Sequence, residues 1–151
     1  MTDGAGCLVI GIGNEYRRDD GVGLVVAEAL RGVPGIAVLT LPGEGTELIN
    51  AWSDEAGRAR VVVIDAMRSD DPPGTVRRFD GRAGLLPVNG FPCSSHRFGL
   101  AEAVEMARLL DRLPGHLTIV GVAGADFSQG SGLSPPVSAA AAALIKEFSL
   151  I

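Results

Sequence analysis

Two kinds of apolar run divide the chain. The stretches Cys7-Leu8-Val9-Ile10 and Val61-Val62-Val63-Ile64 are uninterrupted, and the second is β-branched throughout. Both predict strands covered on the two faces of a sheet. Ile36 to Leu41 and Leu117 to Val122 predict two more. Thr75-Val76-Arg77-Arg78-Phe79 alternates instead and follows the turn signal Asp71-Pro72-Pro73-Gly74, the pattern of a half-exposed edge strand. Between these runs, apolar residues recur at helical spacing. One helix is predicted from about Gly21 to Leu30, ending near Gly32 and Pro34. A second runs from about Thr46 to Ala56, with Leu48, Ile49 and Trp52 on one face. A third starts near Phe98 and carries the stripe Leu100, Val104, Ala107, Leu110. The last follows Ser134-Pro135-Pro136, where proline suits a first turn, and leads through an Ala-rich run to Leu144, Ile145 and Phe148.

The predicted order is β-α-β-α-β-β-α-β-α. Strands alternating with helices imply an α/β fold: a mostly parallel sheet with helices on both faces, in three α/β/α layers. The extra edge strand makes the five-stranded sheet mixed. With no internal repeat, low-complexity tract or boundary signal, residues 1–151 read as a single domain. The irregular segment from Gly81 to Ser95, with Gly84, Pro87, Gly90 and Pro92, is long for a compact domain, and such loops are more often functional than idle.

Composition narrows the class. The chain is 46% hydrophobic and 21% charged, with a net charge of −5, which fits a soluble globular protein. An acidic balance argues against nucleic acid as the main partner, because phosphate contacts are made mostly by Lys and Arg. A local basic patch around Arg77 and Arg78 is the exception. No apolar run has the length of a membrane span, and the start MTDGAG lacks the basic and apolar regions of a signal peptide. Cys7 and Cys93 are too few and too far apart for a disulfide framework or a thiolate zinc site. Cys7 reads as a small apolar strand residue. A cytoplasmic setting and a monomer are expected.

The stretch GIGNEYRRDDGVG, Gly11 to Gly23, links the first strand to the first helix. A glycine-bearing loop there suggests dinucleotide binding, but the fingerprint G-x-G-x-x-G fails at its third glycine, where Tyr16 stands. Asp19 and Asp20 then occupy the place where a helix amino end would receive pyrophosphate, and would repel it. No Gly-Lys-Ser/Thr follows to make a P-loop. The same edge of the sheet gathers other chemistry. Asp65 directly follows Val61 to Ile64, and a carboxylate there is costly unless paired or bound to a cation. His96, in Ser94-Ser95-His96, precedes the third helix. Asp20, Asp65 and His96 therefore make a candidate N/O site for a divalent metal, with positions left for water or substrate.

Each has a plainer alternative. Asp19 or Asp20 could cap the first helix, Asp65 could bond to loop amides, and His96 could be a surface residue with Ser94 or Ser95 as the cap. His116, opening a strand after Pro114-Gly115, reads as structural or exposed. Cys93 has no convincing base partner beyond nearby His96, which disfavours a cysteine nucleophile.

The loop GIGNEYRRDDGVG, the VVVIDA segment with Asp65, SSHRFGL with His96, and the later LTIVGVAG and GLSPPV segments together resemble the hydrogenase maturation proteases. The resemblance runs over essentially the whole chain. It implies a hydrolase, an endopeptidase that removes a short C-terminal extension from the large-subunit precursor of a nickel–iron hydrogenase once nickel has been inserted. It also implies that Asp20, Asp65 and His96 are both the metal-binding and the catalytic residues, which chooses Asp20 over Asp19. Asp19 then becomes a cap or a support for the site. The nickel would arrive with the substrate, although another divalent metal could occupy the site in isolation. A metal so held could polarise the scissile carbonyl or activate water, or an Asp could act as general base in an aspartic-type reaction. The alternative is a non-enzymatic metal-binding maturation scaffold of the same fold.

The chain departs from the family pattern after the second strand, where relatives carry an acidic residue and a Gly-Gly-Thr-like turn. Here the segment reads Leu41-Pro42-Gly43-Glu44-Gly45-Thr46, and Glu44 could take that role. Glu15 stands where relatives have an apolar residue. Arg17 and Arg18 beside it read as a solvated loop face, with contact to acidic groups of a precursor as the alternative. Specificity is expected in the Gly81 to Ser95 loop and around Glu44 to Thr46.

Overall fold

A computed structural model describes residues 6–42, 46–53, 60–84, 86 and 99–150. In chain order the strands are β1 (Cys7–Ile12), β2 (Ile36–Leu41), β3 (Arg60–Met67), β4 (Val76–Asp80) and β5 (His116–Ala123). The α-helices are α1 (Val22–Ala29), α2 (Thr46–Ser53), α3 (Leu100–Leu109) and α4 (Pro135–Ser149), and a 3₁₀ turn (Arg18–Gly21) precedes α1. The five strands lie in the order β2-β1-β3-β5-β4. The β1–β2, β1–β3 and β3–β5 pairs are parallel, and β4 joins the edge antiparallel to β5.

The uninterrupted apolar runs became the central strands. Alternate residues of each strand face opposite sides, so β3 divides its side chains between two cores. Val61, Val63 and Met67 pack with Leu48, Ile49 and Trp52 of α2 and with Leu100 and Val104 of α3. Val62, Ile64 and Ala66 pack with Val22 and Val26 of α1 and with Val137, Ala141 and Leu144 of α4. The sheet is thus covered on both faces, in three layers. The fully buried Trp52 donates its indole N–H to the carbonyl of Arg112 (3.0 Å), so α2 is fastened to the chain leaving α3. The alternating β4 is an exposed edge, as its pattern predicts.

One boundary differs from expectation and one is untested. Helix α2 is described as far as Ser53, and the predicted end near Ala56 lies outside the described residues. Strand β3 runs past Ile64 to Met67 because Asp65, Ala66 and Met67 pair with Gly121, Val122 and Ala123 of β5. Its ladder with β1 stops at Gly11↔Ile64. Asp65 is therefore inside the strand on one side and just past the ladder on the other.

The local basic patch is spent on ion pairs: Arg77 with Asp71 (2.5 Å) and Arg78 with Glu147 of α4 (2.6 Å). Of the long segment after β4, residues 81–84 and 86 are described; the rest of Gly81 to Ser95 lies outside the described residues, as does Cys93. Its start is clasped by Arg108 of α3, which donates to the carbonyls of Gly81, Arg82 and Gly84. Among the described residues no helix is long and apolar enough to cross a membrane.

Candidate functional site

The strand order fixes where a site can form. From β1 the chain steps outward to β2, then returns past β1 to β3 on the other side. In an open α/β sheet, the connections leaving two such strands diverge at their carboxyl ends and leave a crevice between them. The loop after β1 carries Asp20, and β3 carries Asp65.

The β1–α1 connection is folded tightly. Gly13 has φ +153°, and a Cβ there would stand 2.0 Å from the carbonyl oxygen of Asp20, so the loop crosses itself only because position 13 has no side chain. The Asn14 side chain accepts from the N–H of Tyr16 (2.9 Å), while the Asn14 N–H donates to Oδ2 of Asp20 (3.0 Å). Arg17 donates its N–H to the Asn14 carbonyl and Asp20 to that of Arg17, which closes the turn into the 3₁₀ segment. Helix α1 then seats directly on the sheet: a Cβ on Gly23 would lie 2.1 Å from the carbonyl oxygen of Ile64. Gly23 thus permits the close helix–strand approach that the third glycine of a dinucleotide loop would serve.

The two loop aspartates have different tasks. Neither caps the 3₁₀ turn or α1, both of which lack a side-chain cap. Asp19 is fully buried. Its carboxylate accepts from the N–H of Ala125 (2.8 Å), Asp126 (3.0 Å) and Ser134 (2.7 Å) and from the Ser134 hydroxyl (2.8 Å). Burial works to raise its pKa, but these donors outweigh burial and hold the carboxyl below its ordinary value. Three of these bonds fall on Oδ2 and one on Oδ1, so Asp19 is heavily engaged within the fold. Asp20 accepts one described hydrogen bond, from its own loop. That leaves Asp20 as the available carboxylate, on geometry alone.

Asp20 and Asp65 are 8% and 3% exposed. By strand alternation Asp65 shares the sheet face of Val63 and Met67, and its β5 neighbour Gly121 brings no side chain alongside it. Burial pushes the Asp65 carboxyl well above the usual range and the negative charge of Asp20 adds to this, against a partial offset from the Ala66 N–H. Burial also raises Asp20, and the Asn14 N–H and the charges of Arg17 and Arg68 pull it part of the way back. Two buried carboxylates that repel each other favour a shared proton or a shared cation. Strongly shifted groups in a crevice mark functional sites more often than structural ones. Among the described residues no group of three His, Cys, Asp or Glu converges. His96 and Glu44 lie outside the described residues. His116 is exposed at the amino end of β5, away from the crevice, as expected.

Arg17 and Arg18 are partly exposed, and each has a partner within the chain. Arg17 donates from Nε to the Phe127 carbonyl (3.2 Å), and Arg18 pairs with Asp126 (3.6 Å). Sequence reading missed Arg68, whose guanidinium lies 4.6 Å from the centroid of the Phe127 ring, next to β3. Its one visible signal was its place three residues beyond Asp65 in the chain.

Comparison with known proteins agrees with this architecture. Residues 33–149 match the family model HycI, hydrogenase maturation protease. The chain is 33% identical over 136 residues to the hydrogenase 2 maturation protease of Escherichia coli K12, covering 87% of this chain and 81% of that protein. The solved structure of the hydrogenase maturating endopeptidase HybD from E. coli superposes with a TM-score of 0.70 at 25% identity, over 95% of this chain and 89% of that one. The [NiFe] hydrogenase maturation protease HycI from Thermococcus kodakarensis has the same fold, with a TM-score of 0.74 at 19% identity, over 97% and 91%. With its fold, the crevice between β1 and β3 and these similarities in agreement, the chain belongs to the hydrogenase maturation protease family.

Proposed function

We propose that the chain is the endopeptidase that removes the C-terminal extension from a nickel-loaded large-subunit precursor of a nickel–iron hydrogenase. In this reading Asp20, Asp65 and His96 engage nickel that the precursor carries. The supporting observation is the buried, mutually repelling pair Asp20 and Asp65 in the crevice between β1 and β3. Two carboxylates and one imidazole leave coordination positions for groups of the precursor, so an empty precursor offers the site nothing to neutralise the pair.

The pair also suits hydrolysis. Without a cation, burial and mutual repulsion raise both carboxyls, Asp65 the further, which favours a proton held by the pair. A cation held by Asp20, Asp65 and His96 would favour both carboxylates ionised and would supply polarisation of a carbonyl or activation of water. Aspartic-type and metal-assisted cleavage both use these residues. The proposed setting is the cytoplasm, in keeping with the thiol of Cys7, which is free among the described residues.

Mass spectrometry of the nickel-loaded precursor, before and after incubation, tests the assignment. Wild-type protein is expected to remove a fixed C-terminal mass. His96→Ala is expected to lose this activity by about 10²–10⁴-fold, the usual worth of an acid–base or ligand group, while its circular dichroism is unchanged. Normal trimming by that variant would remove His96 from the site. An unchanged precursor mass with the wild type would favour the scaffold alternative.

A further inference from the structure

The β1–α1 loop is fastened to a distant part of the chain. Arg18 donates its N–H to the Gly130 carbonyl (3.0 Å), Gly130 to Tyr16 (2.9 Å), and Asp19 to Asp126 (3.0 Å). The Asp19 carboxylate completes the join across sequence separations of 106 to 115 residues. Ser134 is the N-cap of α4, where a serine hydroxyl ordinarily serves its own helix. Here it makes no such bond and donates to Asp19 instead. The start of α4 is thus organised around Asp19, whose negative charge also suits a helix amino end.

We propose that Asp19 is a positioning residue. By locking the β1–α1 loop to the segment between β5 and α4, it sets where the adjacent Asp20 stands relative to Asp65. Asp65 is held by a strand paired with β5. Asp20 has one described hydrogen bond, within its own loop, so its place depends on where that loop is anchored. The Asp19 side chain accepts four hydrogen bonds from described partners outside the loop. This assignment rests on the proposed role of Asp20 and Asp65.

Asp19→Asn keeps the shape but turns an NH2 toward donors, whichever way the amide lies. Displacing a reacting group by about 1 Å costs about 10²-fold in rate. For the full-length protein acting on nickel-loaded precursor, Asp19→Asn is therefore expected to lower kcat about 100-fold with KM changed less than about twofold. Leu144→Ala in the α4 core serves as a destabilised control and is expected to keep kcat within about twofold at a temperature where both variants are folded. Wild-type kcat in Asp19→Asn, or a loss no greater than that of Leu144→Ala, overturns the proposal. Should Asp19→Asn fail to fold, the Ser134 pair decides: Ser134→Ala is expected to lose up to about tenfold in kcat, and Ser134→Thr to restore it. An unaffected Ser134→Ala would then overturn it. If the wild type cleaves no precursor, the protease reading fails separately, and titration of the free protein with Ni²⁺ decides. Affinity weakened at least about tenfold in Asp19→Asn but not in Leu144→Ala supports positioning; equal affinity, or no Ni²⁺ binding by the wild type, contradicts it.

Discussion

Asp65→Asn is expected to abolish precursor processing while making the metal-free protein more stable near neutral pH. The activity loss, about 10²–10⁴-fold, follows from removing one of the two groups that can hold a cation or exchange a proton in the crevice. The stability gain follows from the same burial. In the folded protein, burial and the charge of Asp20 hold the Asp65 carboxyl well above its ordinary value. A raised folded pKa means that the folded state keeps a proton that the unfolded chain releases. Stability is full below the unfolded value and falls as pH rises toward the folded one. Asparagine is neutral throughout and escapes this loss. The gain should be about 0.5–2 kcal/mol near pH 7, the size typical of a single stabilising substitution, and should vanish below about pH 3, where the wild-type carboxyl is protonated in both states. Urea unfolding of both proteins at the two pH values measures it. A variant less stable than wild type near pH 7 would contradict the electrostatic description of the pair.

Gly13→Ala is expected to damage the site through the backbone. Position 13 has φ +153°, which an L side chain resists, and a methyl group there would overlap the carbonyl oxygen of Asp20 at 2.0 Å and its carbon at 3.1 Å. Both are main-chain atoms, so no rotamer change relieves the contact. The 3₁₀ turn must shift, and with it the bond from Asn14 to Asp20. A stability loss of about 1–3 kcal/mol is expected from overpacking and the strained φ, together with about 100-fold lower processing from displacement of Asp20. Thermal melts and the mass-based processing assay read the two effects. Full activity in a folded Gly13→Ala protein would mean that Asp20 does not need its observed position.

The five strands and the alternation of helices between them were legible because burial leaves a local pattern: unbroken β-branched runs in the centre, alternation at β4. The carboxyl edge was legible for the same reason, since a carboxylate after Val61 to Ile64 is conspicuous. What stayed hidden depends on partners distant in sequence. That β3 continues through Asp65 to Met67 is decided by pairing with β5, which nothing near Asp65 signals. The hydrogen bonds that hold Asp19 come from Ala125, Asp126 and Ser134. The partners of the partly exposed Arg17 and Arg18, Phe127 and Asp126, lie beyond any local window. Tyr16 was informative in the other direction: it removed the dinucleotide reading, and the close approach that reading required is made by Gly23.

The proposed role of the carboxylate pair is to read nickel delivered by the substrate. The most direct test incubates the wild-type protein with the same precursor in nickel-loaded and nickel-free form and weighs the large subunit afterwards. Loss of a fixed C-terminal mass from the nickel-loaded form alone is expected. Equal trimming of both forms, or trimming of neither, would contradict it.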